Sequence, residues 1–176
     1  MTPILIILLV LILIGLAIED FRFRSVQIIF FPIFILITFL FGLNKIELKE
    51  LITASLFNLA ILTIQFAILF LFLSLKEKRA VRLFRDYLGL GDVIFLAGIS
   101  FLFSTVNFCI FITGSLVMLL LFNCILGLIK KNLNKRIPLL GQLAIITIAF
   151  IILSEINGIN SYDDSITGDL LFATFG

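Results

Sequence analysis

Apolar runs of membrane-spanning length, separated by short charged segments, restrict this chain to a bundle of helices in a bilayer. Hydrocarbon offers no partner for a free backbone N–H or C=O, so a spanning segment closes its own hydrogen bonds as a helix of about 20 apolar residues. Residues 3–18 form the first run, extended by Glu19 and Asp20. Residues 26–43 form the second, with a kink expected at Pro32, and residues 51–75 the third. The run from Val93 to Ile129 is too long for one helix; Ser104, Thr105 and Asn107 divide it into short fourth and fifth helices. Residues 137–153 form the sixth. Only 14% of the 176 residues are charged, against about 25% in a soluble domain that must face water. The expected fold is an all-α integral membrane protein, a polytopic bundle of six transmembrane helices over residues 1–154. A polar, acidic tail with Asp163, Asp164 and Asp169 follows over 155–176.

The first run reads as a retained helix and not as a signal peptide. No Lys or Arg precedes it, no small-residue cleavage site follows Ala17, and Pro3 is tolerated in a first helical turn. Six spans place the loops alternately on two sides. One side receives Arg22 and Arg24, then Lys76, Lys78, Arg79, Arg82 and Arg85, then Lys130, Lys131, Lys135 and Arg136. The other receives Lys45, Lys49 and the acidic tail. The positive-inside rule makes the crowded side cytoplasmic and puts both chain ends on the opposite side. A net charge of +2 gives no basic field to recruit nucleic acid; the expected surroundings are lipid.

Few residues here carry chemistry. The chain has no His, which removes His-based triads and His metal sites together. Cys109 and Cys124 lie in one apolar run without metal-ligand spacing and read as small hydrophobes. No metal and no cofactor is expected. Ser55, Asn58 and Gln65 recur at helical spacing on one face of the third helix, as interhelical hydrogen-bond glue or as the lining of a water path. Two carboxylates stand out: Asp20 ending the first helix and Asp92 opening the fourth. A charge at mid-membrane costs about 2.5 to 3.5 kcal/mol on insertion scales, less near the interface. Structurally, Asp92 suits a helix cap and Asp20 an interfacial acid paired with Arg22 or Arg24.

The motifs around them point further. Asp20-Phe21-Arg22-Phe23-Arg24-Ser25-Val26 resembles the first-aspartate motif of type IV prepilin and preflagellin peptidases, and Gly89-Leu90-Gly91-Asp92 matches their Gly-x-Gly-Asp motif. Arg136-Ile137-Pro138, followed by Leu143-Ala144, is a weaker echo at the last helix. The resemblance spans residues 1 to about 154 and covers the peptidase core alone, without the cysteine-rich insert that accompanies methylation in larger members. The chain departs from the family pattern at Ile94, where members commonly carry Lys, at Gln27-Ile28 in place of Pro-Asn, and at Pro138-Leu139-Leu140-Gly141.

The resemblance implies an intramembrane aspartic endopeptidase that removes leader peptides from prepilin-like substrates at the cytoplasmic face of the cell's inner membrane. Asp20 and Asp92 would be its catalytic pair, sharing one proton because neighbouring carboxylates do not both ionise comfortably. Asp92, at a helix N-terminus, would be the anion, and Asp20, at a C-terminus, the acid. Gly89 and Gly91 would let backbone or substrate approach closely, and Glu19 would attract a basic leader. Two other functions stay open on the sequence: a degenerate membrane subunit of a pilus or secretion assembly, and a small ion-coupled transporter.

Overall fold

A computed structural model describes residues 2–77, 89–129, 138–158 and 160–164. The basic loops through Lys78, Arg79, Arg82 and Arg85 and through Lys130 to Arg136 lie outside the described residues, as does the tail with Asp169. Among the described residues there are six helices and no strand: α1 (Thr2–Phe23), α2 (Phe30–Leu43), α3 (Leu48–Glu77), α4 (Leu90–Ile99), α5 (Thr105–Ile129) and α6 (Leu139–Ile156). The protein is an all-α membrane bundle. α1, α3, α5 and α6 are long and apolar enough to cross a bilayer, whereas α2 and α4 are shorter apolar helices.

Lipid is as apolar as leucine, so burial alone gives these helices little reason to associate; close packing and hydrogen bonds hold them instead. α1 packs chiefly against α6 and α2, and α2 against α4. Leu9, Leu13 and Leu16 form the fully buried stripe of α1, while Ile7, Leu11 and Ile18 on its other sides face outward. Between α2 and α4 the Phe34 and Phe95 rings stack at 5.1 Å. This approach depends on Gly98, where a Cβ would lie 2.4 Å from the Phe34 ring.

The second helix starts later than its apolar run. Gln27 and Ile28 accept backbone bonds from Phe30 and Phe31 in a turn, and α2 begins at Phe30. Pro32 therefore falls in the first turn, where its missing N–H had no helical acceptor to lose and proline is tolerated; the cause of the expected kink, a proline inside the helix, does not arise. Arg24 closes α1 in the left-handed region, φ 53°, which costs a residue with a Cβ about 1–2 kcal/mol. Glu19 steadies the same turn by accepting the Gln27 N–H at 2.8 Å.

α4 is only 10 residues long, about 15 Å at 1.5 Å per residue, so its carboxyl end stops inside the bundle. Asn58 on α3 meets that end: its side-chain amide donates to the Ser100 carbonyl at 2.9 Å and the Phe103 carbonyl at 3.1 Å. The Ser55 hydroxyl approaches Ser100 O at 3.5 Å. The glue role anticipated for this polar face is thus visible at two of its three residues. Ser104 then caps α5, its hydroxyl accepting the Asn107 N–H at 3.3 Å. Residues 160–164 return to this end and fill the space above the short helix. Ser104 N–H donates to Ser161 O at 3.1 Å. Asn107 donates to Ser161 O and Asp163 O at 2.9 and 3.2 Å. Tyr162 donates its hydroxyl to Phe101 O, and Ser104 bonds Asp164. Nearby, Lys45 pairs with Glu155 at 2.7 Å. The start of the polar tail is packed structure.

Candidate active site

The opposite end of the bundle gathers the two aspartates. Asp20 follows Leu16 by one helical turn and so continues the buried stripe of α1; it is 9% exposed. A carboxyl group in such a position needs a hydrogen-bond partner. It finds one on the last helix: the Gly141 backbone N–H donates to Asp20 Oδ2 at 2.6 Å. The charge of Arg24 also acts on Asp20.

Asp92 is the third residue of α4 and reaches back so that its Oδ2 accepts the Gly89 N–H at 3.1 Å, while its own N–H donates to Gly89 O at 3.1 Å. This is the capping arrangement that the sequence allows for. Asp92 also makes contacts outside its helix: the Leu140 backbone amide lies against it, and it is near enough to Asp20 for the Asp20 charge to act on it. Two carboxylates remote in the chain therefore meet consecutive amides, Leu140 and Gly141, in the first turn of α6.

That meeting revises the electrostatic asymmetry expected from sequence. Asp20 lies in the last turn of α1, which runs on to Phe23, but α6 presents its positive N-terminus to it, so both carboxylates face helix N-termini. Helix dipoles do not separate acid from base here. Gly91 allows the close approach of α2 and α6 beside Asp92: a Cβ there would lie 3.0 Å from Phe31 and 3.7 Å from Leu140. Gly89 acts through its N–H, in an ordinary extended conformation (φ −71°, ψ 144°). Ile94 is 36% exposed. Asn123 on α5 and Gln142 on α6 exchange side-chain amide bonds at 3.0 and 3.4 Å one residue beyond Gly141.

An open groove of about 480 Å³ lies between α1 and α6, lined by Ile14, Ala17, Ile18, Phe21, Arg22, Ile145 and Ile148. Its lining is almost wholly apolar. Sequence reasoning missed the two amides of α6 and Phe21, since backbone donors carry no residue signature. Pro138 was the one available signal, because a proline in the capping position has no side-chain acceptor for the amides of the first turn.

Site and fold define a helical membrane protein with two carboxylates directed at the first turn of α6, near one end of the bundle. No family model, curated protein or solved structure matches the chain.

Proposed function

We propose that the protein is an intramembrane aspartic endopeptidase acting on prepilin-like substrates, with Asp20 and Asp92 as its catalytic pair. The observation that carries this reading is the convergence of both carboxylates on the first turn of α6. Two such groups hold one proton between them. The ionised member takes a proton from water, and the protonated member donates to the carbonyl oxygen of the scissile bond. The hydroxide so formed adds to the carbonyl carbon, and the nitrogen leaves with the proton returned through the pair. The apolar groove between α1 and α6 includes Phe21, the residue after Asp20, which suits a substrate whose apolar helix arrives from the membrane. Glu19 stands in the α1–α2 turn, held by Gln27, and attracts a basic leader from there. The carboxylate end belongs at the cytoplasmic face of the inner membrane by the distribution of Lys and Arg.

A second reading draws on the same bonds. Asp92 caps α4 through Gly89, and Asp20 supplies α6 with the capping acceptor that Pro138 lacks. On that reading the chain is a membrane subunit without catalysis. Purified protein in bilayers and a peptide with a basic leader and an apolar helix separate the two. Asp20→Asn and Asp92→Asn keep a side-chain acceptor for each cap, so both variants insert and fold. Each loses at least about 100-fold in cleavage, and the double variant is little worse than either, as groups acting as a unit behave. Cleavage at the wild-type rate by either folded single variant rejects the protease and leaves the capping role.

A further inference from the structure

The first four N–H groups of a helix have no acceptor within it. In α6 the capping position is Pro138, which makes no side-chain cap bond. The ladder begins with Gln142 N–H donating to Pro138 O at 3.2 Å. The Gly141 N–H is therefore free for a partner from another helix, and Asp20 Oδ2 takes it at 2.6 Å.

That short bond requires α1 and α6 to touch almost backbone to backbone. A Cβ on residue 141 would lie 3.0 and 3.1 Å from the Phe21 ring and 3.3 Å from the Ala17 carbonyl oxygen. Both obstacles belong to α1, the helix that carries Asp20. An added methyl group thus pushes directly against the carrier of the acceptor and draws the carboxyl away from its donor. The Phe21 ring can turn aside; the Ala17 carbonyl, held in the α1 ladder, yields only if the helix shifts.

We propose that Gly141 is a positioning residue for Asp20: its bare backbone, wedged against Phe21 and the Ala17 carbonyl, sets the place and orientation of the Asp20 carboxyl relative to Asp92. By engaging Oδ2, it leaves Oδ1 as the oxygen available for proton exchange. Its consequence for cleavage rests on the protease reading above; its consequence for the carboxyl group does not.

Three variants test it in bilayer-reconstituted protein. Gly141→Ala adds the methyl group. Phe21→Ala combined with Gly141→Ala returns room for it. Glycolic acid in place of Gly141, introduced by nonsense suppression, turns the amide into an ester and deletes the N–H without adding bulk. Two readouts are taken: kcat and KM on the leader peptide, and the infrared band of the Asp20 carboxyl, identified by subtraction of the Asp20→Asn spectrum. Gly141→Ala is expected to lower kcat about 10-fold, because contacts of 3.0 to 3.3 Å make the neighbours give by a few tenths of an ångström, less than the 1 Å misplacement that costs about 100-fold. KM stays within about twofold, because the lost interaction belongs to the chemical step. The Asp20 band moves in Gly141→Ala and in the ester, and moves back toward wild type in the double variant. An unmoved Asp20 band in the ester overturns the proposal, whatever happens to activity. So does a Gly141→Ala protein whose loss is a rise in KM at unchanged kcat. If Gly141→Ala fails to insert, the ester, which adds no bulk, decides through its band. Should wild type cleave nothing while the band responds as expected, the positioning role stands and the protease reading falls.

Discussion

Asp20 occupies the place on α1 where another leucine would complete the stripe Leu9, Leu13, Leu16. A carboxyl group there is tolerated because α6 brings a free amide to it. The same logic, in reverse, applies to Asn58 at the other end of the bundle, where a side-chain amide serves two carbonyls left open by the end of α4. Asn58→Leu removes both bonds and leaves the Ser100 and Phe103 carbonyls buried without this donor. The expected loss is about 1–3 kcal/mol, measured as a lower unfolding midpoint on titration with denaturing detergent. Tyr162 offers a pH test at this scale. Burial pushes its phenol well above the ordinary tyrosine value, so the folded state favours the protonated form. Its contribution is intact below about pH 10, where the unfolded phenol titrates, and is lost as the pH rises further. Stability measured from pH 8 to 11 should fall at the alkaline end, and Tyr162→Phe should flatten that part of the slope.

Short elements do most to shape the site. α4 runs only from Leu90 to Ile99, yet it carries Asp92 in its first turn and packs Phe95 onto Phe34 of α2. Its position against α2 is set at Gly98, where a Cβ would come within 2.4 Å of Phe34. Gly98→Ala therefore forces α2 and α4 apart or drives Phe34 off its rotamer, at about 1–3 kcal/mol. The unfolding midpoint should drop accordingly, and Phe34→Leu in the same background should recover part of the loss. A Gly98→Ala protein as stable as wild type would show that the contact yields freely. The α1–α2 turn is a second compact device. Arg24 in the left-handed region and Glu19 bonded to Gln27 turn the chain within six residues, 24–29, so that α2 begins close beside the end of α1.

Across the whole molecule, the carboxylates lie at one end of the bundle, while Lys45, Glu155 and residues 160–164 lie at the other. If the first end faces the cytoplasm, a cysteine at Ser25 is labelled only from inside and one at Asn157 only from outside, after replacement of Cys109 and Cys124. Labelling of both from the same side removes the topology proposed here. The helices themselves were legible in the chain, because hydrocarbon permits little other than a helix over runs of this length. Five of the six expected helices are borne out with modest shifts at their ends, and the break at Ser104 holds because α5 takes its cap there. The run from residue 26 lost its first residues to the α1–α2 turn, because α1 extends to Phe23 and the chain reverses before α2 begins at Phe30. Asp20 and Asp92 were also visible, as acids at the edges of apolar runs. Their meeting was not. A helix apolar on every side, such as α1, shows no period that separates a protein-facing stripe from a lipid-facing one, since both solvents favour the same residues. Only the packing of α1 against α6 turned Asp20 inward, put two backbone amides of α6 beside the carboxylates, and gave Asp20 a helix N-terminus. Backbone N–H groups are common to every residue except proline, so which of them meets a carboxylate was decided in three dimensions.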